Sequence, residues 1–433
     1  MVATAVANVL NCFYHLYMVR WLPPSEYAML TALLAGMTLI AVPAATVQTT
    51  TAHRMANLSA QQAWLPIKRE FLKRLARVLL AGVACFLLLV FLREHVRSFL
   101  KFQGSVSIIV YWAGVVGISL MLPVVWGTLQ GLQAFPSLGA NLVTNGVLKV
   151  GPGIAFVTIG WGVLGATKGL LIGIVVTMGV AVFQIRQVLR SRLQTPSEPQ
   201  PWWDKVVSLA NDGWHDTWVS FKKPWNVSQY AVIVALSVLA YSSLTNTDVV
   251  LVKHYFESSM AGRYAVGATM ARMVLFLPMA LSMVLFPNVT HTAAIGQDPR
   301  PLLQKVMLAT GALSGTAALV CYLFPETIMQ FLTGRVFPET IPVIRVLAGA
   351  MACMSVANLF LVYLLAVQRY RHTIVFWASA LLQIGAIMVW HNQITDLAWI
   401  TLCLSLLLAT YALLMTFVRP LAHHLLPVST TPQ

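Results

Sequence analysis

Apolar stretches long enough to cross a lipid bilayer recur along almost the whole chain, and they leave little room for any other fold. An α-helix needs about 20 mostly apolar residues to cross a hydrocarbon core of about 30 Å. The sequence therefore predicts an all-α polytopic membrane protein with about twelve transmembrane helices. These predicted spans lie near residues 2–19, 27–48, 75–92, 105–128, 138–159, 162–183, 228–252, 264–287, 304–324, 341–366, 372–390 and 397–418.

The composition fits lipid rather than water as the main solvent of the chain. Of the 433 residues, 58% are hydrophobic and 9% are charged, whereas a soluble domain is about 25% charged. The formal net charge of +15 is spread through the connections between apolar runs, which indicates control of topology and not nucleic-acid binding. The N-terminal segment lacks a basic region, so we expect a first span rather than a removable signal peptide.

Basic residues in the connections predict the orientation. With the N-terminus placed in the cytoplasm, seventeen Lys and Arg residues fall on the cytoplasmic side and eight on the other. Such an excess is the usual signature of the cytoplasmic side. We therefore expect both termini in the cytoplasm.

The long connection at 184–227 predicts the domain organisation. It separates two six-helix lobes, 1–183 and 228–418, and a short cytoplasmic tail follows at 419–433. Within the connection, apolar and polar residues segregate at helical spacing, which predicts an amphipathic helix in the cytoplasmic interface. Its apolar face would consist of Trp203, Val207, Ala210, Trp214, Trp218 and Phe221.

The charged candidates inside predicted spans are Lys149, Lys168, Asp248 and Arg272. A charge near the middle of the bilayer costs about 2.5 to 3.5 kcal/mol on the most lenient scale, so such residues face a cavity or a partner. The three cations are candidates for binding an anionic substrate. Asp248 either binds a coupling cation or forms an ion pair with Arg272 or Lys253 that locks two helices.

Lys149 directly precedes the sequence Gly151-Pro152-Gly153. Proline removes a backbone donor and glycine loosens a helix, so we expect a kink or break at this point. Irregular backbone at membrane depth is tolerated where it lines a cavity or is covered by protein. Lys149 is therefore expected to point into a cavity, with an alternative in which it reaches the membrane interface.

Uncharged polar residues form a second group of candidates. They either line a polar cavity or bond to a neighbouring helix, and the second role is the commoner one. In the first predicted span, Asn8, Asn11 and His15 are spaced by three and four residues, which places them on one helical face. The group consists of Asn8, Asn11, His15, Asn141, Asn145 and Asn246.

Enzyme and metal motifs are missing from the sequence. There is no Gly-x-Ser-x-Gly, no phosphate-binding loop and no His-Glu-x-x-His, so we expect no catalytic residues and no cofactor. The five cysteines and the histidines lack the spacing of metal ligands, so no metal site is expected. Without a nucleotide site, transport would depend on an H⁺ or Na⁺ gradient or on downhill movement.

The segment TNTDVVLVKHYFESSMAGRYAVGATMARMVLFLPMALSMVLFP closely resembles the polysaccharide-exporter branch of the multidrug/oligosaccharidyl-lipid/polysaccharide (MOP) superfamily, which includes the O-antigen flippases. Similar pieces are NVLNCFYHLYMVRWLPPSEYAML, GTLQGLQAF and LLAVQRYRH. The resemblance runs over most of the chain through helix-end motifs. Its residues in the long segment are Asn246, Asp248, Lys253, Gly262, Tyr264, Phe286 and Pro287.

This resemblance implies two six-helix lobes, as in the MATE transporters, around a central cavity that opens alternately to each side. It also implies a flippase for undecaprenyl-pyrophosphate-linked glycans in the bacterial cytoplasmic membrane, with membrane lipids as its surroundings. Cationic residues would face the pyrophosphate, and Lys149, Lys168 and Arg272 have the charge for that role.

Two other functions remain open at this point. A cation-coupled multidrug exporter of the same fold would need acidic groups inside the first lobe, where spans one to six contain none. An integral-membrane glycosyltransferase or polymerase would need a large loop with acidic residues, which the sequence also lacks.

Overall fold

The chain folds into helices throughout the part that the computed structural model describes, which is residues 2–101, 104–194, 225–294, 298–367 and 369–418. Short 3₁₀ turns at Pro338–Thr340 and Tyr370–Thr373 and a π-helical turn at Leu414–Val418 complete the described secondary structure. The helices are α1 Val2–Trp21, α2 Pro24–Ala60, α3 Trp64–Phe91, α4 Arg93–Phe99, α5 Ser107–Ser119, α6 Leu122–Gly131, α7 Phe135–Thr158, α8 Gly162–Gln194, α9 Trp225–Tyr255, α10 Ser258–Ala294, α11 Arg300–Leu323, α12 Pro325–Thr333, α13 Ile341–Ala366, α14 Ile374–Val389 and α15 Ile394–Leu413.

Helices occupy all twelve predicted spans, which confirms the all-α membrane fold. Among the described residues, nine helical segments are long and apolar enough to cross a bilayer. The predicted spans in α1, α7 and α10 are not among those nine, and these helices carry Asn11, Lys149 and Arg272 respectively. The nine segments are Pro24–Ala41, Trp64–Phe91, Ser107–Gly131, Gly162–Ser191, Val232–Tyr255, Arg300–Leu323, Pro338–Ala366, Tyr370–Val389 and Ile394–Phe417.

The chain packs as two compact units. The first contains Met1–Leu22 and Gly36–Leu239, and the second contains Pro23–Ala35 and Ala240–Gln433. The start of α2 therefore packs with the second unit, where the hydroxyl groups of Tyr27 and Thr269 are 2.7 Å apart. The predicted amphipathic helix lies in 195–224, outside the described residues.

The first unit has a core that joins α2, α3, α6 and α8. Met55 of α2, Ile67 and Phe71 of α3, Leu129 of α6 and Ile185 of α8 are all buried in it. These apolar side chains lie on one face of each helix, so their burial fixes which face of α3 and α8 points inward.

The predicted span at 105–128 consists of two helices, α5 and α6. The chain turns at Leu120 and Met121, and Pro123 lies in the first turn of α6. Proline is tolerated there because its missing N–H would have no partner within the helix.

The chain does not break at Gly151, Pro152 and Gly153, because α7 continues through all three residues. The predicted kink stays a prediction. Pro152 leaves the Leu148 carbonyl without its helical donor. Two glycines of α8 fit against this stretch: a methyl group on Gly173 would lie 2.4 Å from the Leu148 oxygen, and one on Gly169 would lie 2.4 Å from the Gly153 nitrogen. This segment of α7 thus packs closely against α8. Because α8 covers Pro152, the unpaired backbone there is tolerated.

Candidate functional sites

Lys149 is joined to α1 by a charge-assisted hydrogen bond. Its ammonium donates to the side-chain oxygen of Asn11 at 2.5 Å, and it lies 4.9 Å from the centre of the Tyr14 ring. Asn11 and Tyr14 are three residues apart on α1, so they share the face that meets α7. Both partners are neutral, and the positive charge of Lys149 is therefore solvated but not neutralised.

No carboxylate within the described residues forms an ion pair with Lys149 or Lys168. In the described part of the first unit the carboxylates are Glu70 and Glu94. Glu70 pairs with Arg74 at 2.8 Å, and Glu94 lies 3.8 Å from Arg93 and 3.7 Å from Arg97. Within the described part of the first unit, Lys149 and Lys168 therefore have no carboxylate partner.

Lys168 lies among aromatic rings near the start of α8. Its ammonium is 4.5 Å from the centre of the Trp161 ring and 5.2 Å from that of Tyr111. Trp161 also stacks on Phe156, with ring centres 4.9 Å apart. Positive φ angles at Gly160 and Gly162 form the tight turn that places Trp161 there. Cation–π contacts hold the ammonium in place and leave its charge intact.

Asn141 connects helices instead of lining an open surface. It is fully buried, and its oxygen accepts a hydrogen bond of 2.7 Å from the Trp126 indole. Its amide donates to the Thr177 carbonyl at 3.4 Å. Asn141 thus bonds α7 to α6 and α8, which is the commoner role for such a residue.

The other polar candidates of the first unit are partly buried. Asn8 and His15 lie on α1 with Asn11, and Asn145 lies one turn before Lys149 on α7. The His15 ring meets the Tyr14 ring edge-on with centres 5.9 Å apart. Asn11 is therefore the member of this group that the structure brings to a candidate cation.

Asp248 forms a buried ion pair with Arg272 in the second unit. Its first oxygen accepts from the guanidinium of Arg272 at 2.9 Å, and its second oxygen accepts from the Tyr264 hydroxyl at 3.0 Å. The Asp248 side chain is 1% exposed and that of Arg272 is 18% exposed. Of the two partners predicted for Asp248, the structure brings Arg272 to it, whereas Lys253 donates to the Ser258 hydroxyl at 2.5 Å.

Asn246 bonds within its own helix. Its amide donates to the Ser242 carbonyl at 2.9 Å and to the Thr245 hydroxyl at 3.1 Å. Although it is two residues from Asp248, the structure does not bring it to the ion pair. Its amide thus donates to one backbone carbonyl and one side-chain hydroxyl within a turn of α9.

Two buried groups in the second unit have roles that the sequence did not assign. Tyr264 belongs to the quoted motif, but nothing in its spacing predicted its bond to Asp248. Gln383 of α14 is fully buried and donates to the Leu244 carbonyl at 3.2 Å and to the Thr401 hydroxyl at 3.1 Å. A lone amide in an apolar run is the signal that predicts such a connection between helices.

Comparison with known proteins shows a similarity of structure. No protein-family model and no curated protein matches the sequence. The fold is similar to an inward-facing multidrug resistance MATE family transporter of the MOP superfamily, with a TM-score of 0.72, 13% identity and coverage of 95% of this chain and 93% of that one. It is also similar to the lipid II flippase MurJ in an inward closed conformation, with a TM-score of 0.70, 10% identity and coverage of 97% and 87%.

A third solved structure with this fold is a MOP superfamily transporter from Pyrococcus furiosus, described as having a binding pocket of reversed polarity. Its TM-score is 0.61, with 15% identity and coverage of 96% of this chain and 93% of that one. The chain therefore has the two-lobe fold of the MOP transporters and is a multi-pass membrane protein.

Proposed function

We propose that this protein is a flippase that moves a polyprenyl-(pyro)phosphate-linked oligosaccharide across the bacterial cytoplasmic membrane by alternating access, for the assembly of cell-surface polysaccharide. The observation that carries the proposal is the un-neutralised charge of Lys149, held at mid-helix by the neutral Asn11. A half-buried cation without a carboxylate favours an anionic ligand.

Lys149 and Lys168 contact the phosphate groups in this proposal. A lipid-linked glycan carries its negative charge on the phosphates next to the polyprenyl chain, so a receptor needs cations within the membrane. Arg272 contributes less in the state described here, because Asp248 balances its charge at 2.9 Å. Exchange of Asp248 between Arg272 and a coupling H⁺ or Na⁺ would couple the transport cycle to an ion gradient.

The charge distribution argues against a cation-coupled multidrug exporter of the same fold. A cationic substrate calls for carboxylates in the first unit, and the two described ones, Glu70 and Glu94, are engaged with arginines. Similarity to both multidrug and lipid II transporters supports the fold alone, and the choice between them depends on these side chains.

The test is transport by the purified protein in liposomes. The substrate is a fluorescent polyprenyl-pyrophosphate-linked oligosaccharide, and a membrane-impermeant reductant measures the fraction that reaches the outer leaflet. A charge-assisted hydrogen bond contributes about 1.5 to 3 kcal/mol, so Lys149→Glu and Lys168→Glu should each reduce the rate about tenfold or more. Lys149→Arg keeps the charge and should retain most of the activity.

Each variant must elute as a single species and unfold near the temperature of the native protein. Full transport by Lys149→Glu, Lys168→Glu and Arg272→Glu would exclude a cationic substrate site. Accumulation of a cationic dye under a proton gradient, without movement of the lipid-linked glycan, would instead favour the multidrug exporter.

A further inference from the structure

Helix α3 presents a basic patch on the side of the first unit that faces away from its core. We define the basic patch as Lys68, Arg69, Lys73 and Arg77, all of which are exposed. On the opposite side of the helix, Ile67 and Phe71 are buried in the core with α6 and α8. The cations therefore point outward, and within the described residues none of the four forms an ion pair with a carboxylate.

The same outward face becomes apolar further along the helix. Almost none of the apolar part of α3 is buried within the protein, and Leu80, Leu87 and Phe91 are 70%, 59% and 80% exposed. A stripe this apolar faces lipid tails. The basic patch thus lies beside the surface that lipid tails cover.

The length of α3 places the patch at the membrane boundary. Its 28 residues extend about 42 Å at a rise of about 1.5 Å per residue, which exceeds a hydrocarbon core of about 30 Å. With Phe91 near one boundary of the core, the first turns of α3 lie among the headgroups at the other. Lys73 and Arg77 can reach the same layer by extending their side chains along the helix.

Neighbouring elements strengthen the positive charge of this end. Met55 and Ile185 share the core with Ile67, so exposed Arg54 and Arg186 lie at the same end of the unit. The described carboxylate here is Glu70, which is already paired with Arg74 at 2.8 Å. The local field is therefore positive and attracts anions within a distance of about 10 Å at moderate salt.

We propose that the basic patch of α3 is a binding site for the headgroups of anionic phospholipids. The cations recognise the phosphate, and the apolar stripe next to them accommodates the acyl chains. This combination favours an amphiphilic anion over a soluble one, because a soluble anion gains nothing from Leu80 and Leu87. The bound lipid also neutralises cations that otherwise lie at the edge of the hydrocarbon layer.

The test measures retention of phosphatidylglycerol by the purified full chain, with native mass spectrometry after titration in detergent. Phosphatidylcholine with the same acyl chains is the neutral comparison lipid. The wild-type protein should bind phosphatidylglycerol at least fivefold more tightly than phosphatidylcholine. The variant K68Q/R69Q/K73Q/R77Q should lose most of this preference and bind phosphatidylcholine as before.

The matched control is R93Q/R97Q, which removes two cations from α4 that lie near Glu94 and should keep the full preference. If the fourfold variant does not fold, salt provides the test on the wild-type protein. Raising ammonium acetate, the volatile salt used in native mass spectrometry, from about 50 mM to about 500 mM should weaken binding of phosphatidylglycerol several-fold through screening and leave phosphatidylcholine unaffected.

Three outcomes would overturn the proposal. The quadruple variant K68Q/R69Q/K73Q/R77Q could retain the preference for phosphatidylglycerol over phosphatidylcholine, or the wild-type protein could show no such preference. Alternatively, a competitor could displace bound phosphatidylglycerol at the concentrations at which phosphatidylglycerol itself binds. Displacement by inorganic phosphate would assign the patch to a soluble anion, and displacement by a polyglutamate peptide would assign it to an acidic protein.

Discussion

The ammonium of Lys149 lies 2.5 Å from the side-chain oxygen of Asn11, so one charge-assisted hydrogen bond joins α7 to α1. Asn11 is the right length to hold the ammonium and cannot neutralise it. Replacing the amide by a carboxylate therefore changes the charge of the site and little else.

Asn11→Asp should abolish most of the transport of the lipid-linked oligosaccharide. The new carboxylate would pair with Lys149 at close range in a medium of low dielectric constant, so the cation would no longer be available. We expect a loss of about tenfold or more, which corresponds to one charge-assisted bond, measured in liposomes. Asn11→Ala keeps the charge and should stay much closer to the native rate; a reversed order of the two variants would contradict this role.

Asp248→Asn should strongly destabilise the protein. Removing one partner of a buried ion pair leaves the other charge uncompensated and costs about 3 to 5 kcal/mol. The double variant Asp248→Asn/Arg272→Gln should recover part of this loss, which a double-mutant cycle in detergent measures.

The control for Asp248 is Arg263→Gln, which breaks the more exposed pair between Arg263 and Glu339 and should cost about 0 to 1 kcal/mol. Equal losses for Arg263→Gln and Asp248→Asn would show that burial of the Asp248 pair has no energetic role.

Gly169→Ala should destabilise the contact between α7 and α8. The added methyl group would lie 2.4 Å from the Gly153 nitrogen, which is backbone and cannot move aside as a side chain can. Such overpacking costs about 1 to 3 kcal/mol. The midpoint of thermal unfolding in detergent should fall accordingly.

Gly179→Ala on the same helix is the matched control. Nothing lies within 4 Å of the added methyl group, and alanine favours a helix by about 0.5 to 1 kcal/mol over glycine. Its unfolding midpoint should stay level or rise. A fall as large as that of Gly169→Ala would mean that the glycine contact is unimportant.

Asn141→Ala should reduce stability and leave substrate selectivity unchanged. It removes the acceptor of the Trp126 indole, and a buried donor without a partner costs about 1 to 3 kcal/mol. Trp126→Phe in the same background should add little, because the donor is then absent. Altered selectivity among lipid-linked glycans in Asn141→Ala would instead place Asn141 at the substrate.

Positions of helices follow from the sequence because long apolar runs decide them. All twelve predicted spans coincide with helices, although helix ends differ. Helix α2 continues to Ala60 and α3 begins at Trp64, well outside the apolar runs on which the prediction rested. Polar residues at the membrane–water interface can continue a helix, and a prediction from hydropathy does not detect that continuation.

Local sequence does not decide whether the chain breaks at Pro152. Proline and glycine weaken a helix on average, but α8 supplies Gly169 and Gly173 at the same level, and close packing keeps α7 helical. That compensation depends on two helices at once. It is a tertiary effect, which the pattern within α7 alone does not contain.

The sequence did not predict which residues contact the charged candidates, because those partners are far from them along the chain. The sequence left Arg272 and Lys253 as alternatives for Asp248, and only the packing of α9 against α10 brings Arg272 within 2.9 Å. Likewise, Tyr111 and Lys168 are far apart along the chain and have no spacing that predicts their contact.

Backbone contact between α7 and α8 fixes the relative positions of the charged residues that these two helices carry. With Gly169 against Gly153 and Gly173 against Leu148, neither helix can slide or rotate on the other without collision, so Lys149 on α7 and Lys168 on α8 travel together. Their separation is therefore fixed by the packing of α7 against α8. In the proposed transport, a ligand with two linked negative charges would meet two cations whose separation does not change.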